Sequence, residues 1–381
     1  MIEQTFIINH LGEDRKNYQN AVAPPIFQTS NFCFQDVEEM RRALCNELKY
    51  PFYSRGNNPT VEIYRKKIAA LEGYEDALIF SSGSAAIAAA VNANLQTGDH
   101  VVCVHKPYSW TFKLFNHYLK KFGIETTFVD PTLPDAYLNA IRPNTKLFYL
   151  ESPNSLTFEI TDLKEVTKVA KAHNILTVLD NSYSTPIFQR ASDFGIDIVC
   201  HSATKYLSGH SDVVAGVVCA NATQIEKIFY TDYMNIGGIL SAYEAFLLLR
   251  GLRTLPIRMQ KIFDSTIQIV NFLENHPKVQ KVYYPFLKSN PQYQLAISQM
   301  KGCTGLFSIE LKTKDKNKIE LFCNSLKCFL LACSWGSYES LVFPGIAITP
   351  LPEKWNLIRF SIGLDEPNIL IQDLNKALNI I

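Results

Sequence analysis

The sequence has no excess of charge of either sign. Its 37 Lys and Arg residues nearly balance 36 Asp and Glu, for a net charge of +1. That argues against electrostatic capture of nucleic acid or an anionic membrane. Long apolar runs are also missing. The longest, such as Ala85–Val91, fall far short of the roughly 20 residues needed to span a bilayer. The opening MIEQTFIINHLGEDRKN lacks the basic-then-apolar pattern of a secretory leader. The nine cysteines form no regular framework. Many, including Cys103, Cys219 and Cys323, lie in apolar segments where a free thiol behaves as a small hydrophobe. A reducing, cytoplasmic location is expected. Cys323, Cys328 and Cys333 are evenly spaced, but no CxxC or HxxxH pair accompanies them, so no metal is expected. Internal repeats, low-complexity stretches, a GxxxxGK[ST] loop and a GxGxxG fingerprint are all absent.

What remains is an ordinary globular composition, 47% hydrophobic and 19% charged, over 381 residues. That length suffices for two domains. Residues 1–50 read as an N-terminal arm with little core of its own. It has an extended Val22–Ile26 and a short helix opened by Asp36 with Met40 and Leu44 on one face. Residues 51–250 read as an α/β domain. Apolar strands are predicted at Ala77–Phe80, His100–Val104, Glu125–Val129, Lys146–Leu150, Ile175–Leu179, Ile196–Val199 and Ala215–Cys219, with helical patterns between most of them. This implies a mostly parallel seven-stranded sheet covered on both faces, with ligands at the C-terminal ends of its strands. Residues 251–381 read as a smaller α+β domain. Its entry is a long helical stretch predicted to break near Leu255–Pro256.

The strand ends carry the chemistry. Ile196–Val199 is predicted to stop before Cys200 and to lead into Ser202, Thr204 and Lys205. A lysine at the end of a buried strand is costly to desolvate unless paired or neutralised. A Schiff base to an aldehyde cofactor, of which pyridoxal phosphate (PLP) is the commonest, removes that cost. The plain alternative is a surface lysine in a loop. Asp180 follows another strand and suits a protonated pyridine nitrogen, or caps a helix. Tyr108 suits stacking on a flat ring, or packs as an ordinary aromatic. Glu151 ends a third strand. Gly83 and Ser84 open an Ala-rich helix whose free N–H groups suit a phosphate, as do the hydroxyls of Ser202 and Thr204. Arg55, beside Tyr53 ahead of a turn, is either a solvated charge or a phosphate partner, and Thr60 is expected to cap the following helix. Arg359 sits on an alternating strand with Leu357 and Ser361. It should meet a carboxylate, either a substrate's or a buried structural one. Ser334 and Trp335 are expected to line the same pocket.

These residues resemble the trans-sulfuration (Cys/Met metabolism) family of PLP enzymes. YSRxxNPT is matched by Tyr53–Thr60, SATKYxxGHSD by Ser202–Asp212, LDN by Leu179–Asn181, LRGLRTL by Leu249–Leu255 and RxSxGL by Arg359–Leu364. The resemblance spans nearly the whole chain. It implies fold type I (aspartate-aminotransferase-like), PLP on Lys205 and a homotetramer built as a dimer of dimers. It also implies that Tyr53 and Arg55 serve the neighbouring subunit's phosphate, and that Tyr53 and Tyr108 assist catalysis beside Lys205. The segment SWGSYESL is similar to bacterial cystathionine β-lyases, where Trp follows the serine. Most γ-enzymes have Leu in place of that Trp, and the cystathionine γ-enzymes also usually carry Glu just before that serine, where this chain has Cys333. The activity expected is β-elimination of L-cystathionine to homocysteine, pyruvate and ammonia. The alternatives are cystathionine γ-lyase or γ-synthase, a homoserine-ester sulfhydrylase, and a non-catalytic relative. Departures from the family pattern at Ser84, at Ser109–Trp110–Thr111 and at Ser155 bear on the substrate pocket.

Overall fold

A computed structural model describes residues 3–348 and 351–381. Strands β1 (Asp76–Phe80), β2 (His100–Val104), β3 (Glu125–Val129), β4 (Thr145–Glu151), β5 (Leu176–Asp180), β6 (Ile198–Ser202) and β7 (Gly216–Ala220) form a seven-stranded sheet. Their order is β1-β7-β6-β5-β4-β2-β3. β2 to β6 run parallel, and β7 is antiparallel to both of its neighbours. Alternate residues of each strand enter different cores, as a two-unit period requires. Leu179 and Val199 belong to one apolar cluster, and Val178, Ile198 and Cys200 to the other. That double burial is why these strands read as unbroken apolar runs. β6 passes the predicted stop at Val199 and continues to Ser202, because its edge pairs with β7 as far as Ser202↔Gly216.

β8 (Val279–Tyr283), β9 (Leu306–Leu311), β10 (Leu330–Leu331), β11 (Leu341–Pro344) and β12 (Leu357–Ser361) make a five-stranded sheet in the order β10-β11-β12-β9-β8. It has its own aromatic core, with Phe307 and Phe360 stacked at 5.5 Å. The chain is thus of fold type I: a large, mostly parallel α/β sheet with a smaller α+β unit.

One helix, Ala242–Glu274, joins the two cores. Its buried residues up to Ile262 pack on the large sheet, and Ile269, Val270 and Leu273 pack on the small one. The predicted break at Leu255–Pro256 does not occur. Leu252, Leu255 and Met259 are fully buried around the proline, and that packing outweighs its cost of about 3 kcal/mol.

The arm is fastened to the large domain. In α1 (Gln4–Asn9), Ile7 and Ile8 enter the first core. Lys67 of α3 (Pro59–Glu72) donates to the carbonyls of both, at 3.1 and 2.8 Å. Asp36 caps α2 (Val37–Leu44) as expected. The cap of α3 is Asn58, not Thr60. The Thr60 hydroxyl instead donates to Pro25 O and accepts the Phe27 N–H, holding the extended arm against the helix. No helix among the described residues is long and apolar enough to cross a membrane.

Candidate active site

Parallel pairing puts the C-terminal ends of β4, β5 and β6 side by side, with Glu151 opposite Asp180 and Asp180 opposite Cys200. Beyond β6 the chain turns tightly. Lys205 N–H donates to Ser202 O at 3.1 Å, and Gly209 N–H donates to Lys205 O at 2.8 Å. Arg258 of the long helix braces this turn by donating to Tyr206 O at 2.9 Å and to Gly251 O at 2.7 Å. Gly209 has φ +72°, and a Cβ there would lie 2.1 Å from the Arg258 guanidinium, so the turn requires glycine.

The Lys205 amine donates to the Ser334 hydroxyl and lies 5.4 Å from the centre of the Trp335 ring. Burial, and then the nearby Arg359 charge, push its pKa down to about 8. Ser334 is held at φ +75°, in the left-handed region that a non-glycine residue rarely adopts. Its carbonyl accepts Arg359 Nη2–H at 3.2 Å. Arg359 lies 4.8 Å from the centre of the Phe343 ring, and burial pushes its pKa down to about 10. Among the described residues it forms no ion pair. The carboxylate expected opposite it is therefore not supplied by its own strand neighbours, since Phe343 and Ser308 flank it in register.

Asp180 is buried and accepts the Ser182 N–H at 2.9 Å. It too has no ion pair among the described residues, and burial raises its pKa. Glu151 is likewise buried. One oxygen accepts the Tyr108 N–H at 2.8 Å and the other accepts the Ser155 hydroxyl at 2.7 Å. Burial and the Asp180 charge push its pKa up to about 8. Tyr108 stands half-exposed at the start of α5 (Ser109–Lys113).

Ser82 caps α4 (Gly83–Asn92). A Cβ on Gly83 would meet the Ser202 side chain at 2.8 Å, so the helix start and the end of β6 leave room only for hydrogen there. Ser84 is exposed at the same end. The Thr204 hydroxyl donates to Ala215 O and accepts the Ala215 N–H, so in this arrangement its proton is committed. Tyr53 and Arg55 are both exposed, with the guanidinium 5.8 Å from the tyrosine ring. Neither makes a hydrogen bond or ion pair with the other candidates among the described residues.

The fold therefore gathers Lys205, Asp180, Ser202, Gly83, Tyr108, Ser334, Trp335 and Arg359 around the strand ends and the facing domain. Tyr53 and Arg55 stay outside that group. The brace Arg258 was not singled out in the sequence. Its signal was spacing: three residues after Leu255 and four before Ile262, it shares their buried face of the helix.

A family model described as "Cys/Met metabolism PLP-dependent enzyme" matches residues 4–379. The chain belongs to that family. The chain is 37% identical to an L-methionine gamma-lyase of Treponema denticola, over 96% of this chain and 94% of the relative. It is 40% identical to a cystathionine beta-lyase of Coxiella burnetii, over 97% and 96%. A crystal structure of cystathionine gamma synthase from Xanthomonas oryzae pv. oryzae, in complex with aminoacrylate and cysteine, superposes with a TM-score of 0.93. It is 34% identical, covering 100% of this chain and 98% of that one.

This enzyme is a PLP-dependent lyase of that family, and its residues fit the cofactor. A buried carboxylate with no cation of its own, a lysine with a depressed pKa and a glycine-floored helix start are what a protonated pyridine ring, an aldehyde and a phosphate respectively require.

Proposed function

We propose that the chain is a carbon–sulfur β-lyase that converts L-cystathionine to homocysteine, pyruvate and ammonia. PLP, when bound, supplies the electron sink that lets the Cα–H bond break and a Cβ substituent leave. Lys205 anchors the cofactor and, once displaced by the substrate amine, takes the Cα proton. A pKa near 8 suits that base role near neutral pH. Asp180 keeps the pyridine nitrogen protonated. The start of α4 at Gly83 and Ser84, with Ser202, receives the phosphate, and Thr204 joins them only when its hydroxyl turns away from Ala215 O. Tyr108 covers the ring face. Arg359 takes the substrate α-carboxylate as a bidentate partner, and Ser334, already bonded to both Lys205 and Arg359, sets the distance between base and carboxylate. The thiolate leaves with the Cβ–S electron pair, and water releases pyruvate and ammonia.

One observation carries the β reading. Trp335, the residue after the strained serine, packs 5.6 Å from Tyr206 and beside the Lys205 amine. The bulky indole thus stands beside the lysine, at the position where the resemblance gives most γ-enzymes leucine. The 40% identity to a cystathionine beta-lyase supports the same reading. The second reading is γ-elimination or γ-replacement, favoured by the similarity to a methionine gamma-lyase and to a cystathionine gamma synthase. The test is the keto acid released from L-cystathionine. Pyruvate with homocysteine supports β-elimination, and 2-oxobutyrate with cysteine replaces it by the second reading.

The exposure of Tyr53 and Arg55, away from the other candidates, supports their acting on a neighbouring subunit's phosphate. That reading extends to a homotetramer, a dimer of dimers, in the cytoplasm.

A further inference from the structure

Glu151 is a buried carboxylate that the proposed reaction leaves without a task. It ends β4, and its register partner on β5 is Asp180. No Lys, Arg or His among the described residues pairs with it, so it is not half of a structural ion pair. Its two oxygens are nevertheless fully aimed. One holds the backbone N–H of Tyr108, and the other holds the Ser155 hydroxyl.

The Tyr108 backbone has few other holds. No side chain caps α5, and the Tyr108 hydroxyl makes no hydrogen bond among the described residues. The segment before it is tied to the same stretch of chain. Asn154 Nδ2–H donates to His105 O at 3.4 Å, and Lys106 pairs with Glu159 at 3.0 Å. Lys106 itself is held at φ +53°. Three links therefore fasten residues 105–108 to residues 151–159, and the Glu151 link is the one that reaches Tyr108.

We infer that Glu151 is a positioning residue: by gripping the Tyr108 N–H from the strand beside Asp180, with Ser155 fixing the grip, it sets where the Tyr108 ring stands relative to the carboxylate that holds the cofactor. This rests on the reading of Tyr108 as the cofactor's stacking partner. The role needs an acceptor, not a charge. A glutamine offers its carbonyl oxygen to Tyr108 and its amide N–H to Ser155, whose hydroxyl can turn to accept.

The experiment compares E151A, E151Q, S155A and Y108A as PLP-loaded enzymes. It reads the visible circular dichroism of the bound cofactor, kcat and KM for L-cystathionine, and Tm. E151A is expected to lower kcat about tenfold or more, with KM within about threefold, and to change the dichroism in the direction that Y108A does. E151Q is expected to keep the wild-type dichroism and kcat within about threefold. S155A removes one of the two bonds and is expected to fall between them, which decides the matter if E151A does not fold. Wild-type dichroism in E151A, or in S155A where E151A fails, overturns the inference when Y108A shifts it. E151Q as damaged as E151A also overturns it, because the charge and not the grip would then matter. If Y108A leaves both dichroism and kcat unchanged, the stacking role of Tyr108 fails, and the inference falls with it for a separately identifiable reason.

Discussion

Asp180 and Glu72 are two buried acids near the same strands, and they are satisfied in opposite ways. Glu72 ends α3. One of its oxygens shares a 2.6 Å hydrogen bond with His201 Nε2 and accepts Asn181 Nδ2–H at 2.8 Å. The other accepts the Ala191 N–H at 2.9 Å. Asp180, one residue before Asn181, accepts the Ser182 N–H and forms no ion pair among the described residues, with Lys205 and His201 near enough to feel its charge but not bonded to it. Glu13 repeats the first pattern, enclosed by Lys67 at 3.1 Å, Arg15 at 2.8 Å and Arg253 at 3.5 Å. The difference separates structure from chemistry. A buried acid whose partners come from the fold holds the fold together. A buried acid left short of partners is a place for a group from outside.

That contrast breaks if variants on the two sides behave alike. The largest effect belongs to Lys205→Ala, which is expected to lower turnover by about 10³-fold or more with Tm little changed. A stopped assay with L-cystathionine, beside a thermal scan, checks both halves. Next comes Asp180→Asn, expected to cost about 10²-fold in kcat because an amide cannot hold the pyridine proton by charge. On the other side, Glu13→Ala strands the buried Lys67 cation. It should cost about 3–5 kcal/mol of stability while turnover per folded molecule stays near wild type. Urea denaturation paired with active-site titration separates the two. Equal stability losses for Asp180→Asn and Glu13→Ala would erase the distinction.

A smaller effect sharpens the contrast through pH. The Lys205 amine, its pKa held down by burial and by Arg359, must be unprotonated to accept the Cα proton, so kcat should rise with pH and then level off. In the cofactor-free protein the sign for stability follows from the same shift. The folded pKa lies below the ordinary lysine value of 10.5. The folded state therefore binds fewer protons, and the penalty is complete below about 8 and disappears as pH rises toward 10.5. Stability of the apo form should climb over that window, and Lys205→Met should flatten the climb. The smallest effect is expected at Trp335→Leu, a change of about threefold or less in kcat with a measurable shift in the ratio of pyruvate to 2-oxobutyrate.

Much of this arrangement was legible from residue order. Unbroken apolar strands such as Val101–Val104 and Leu147–Leu150 announced a sheet buried on both faces. Charges at strand ends, Asp180 and Lys205, marked the working edge. The rest depended on contacts that no local pattern encodes. Pro256 argued for a break, but packing on both sides carries the helix through it. Asn58 took the cap from Thr60 because the arm needed the Thr60 hydroxyl. β8 and β11 were not foreseen, since a small sheet assembled from distant segments leaves little periodicity in strands of five and four residues. The part played by Glu151 was hidden for the same reason. Its residue type and position were readable at the end of β4, but its grip on Tyr108, 43 positions away, was not.

The most direct test of the account locates the cofactor on the chain. The PLP-loaded enzyme is reduced with borohydride, digested, and the pyridoxyl-bearing peptide identified by mass. The expected result is one modified residue, Lys205, together with loss of the visible absorption band and of turnover. A pyridoxyl group on another lysine, or an unchanged band and turnover in Lys205→Ala, would contradict the assignment of this strand edge as the working half of the molecule.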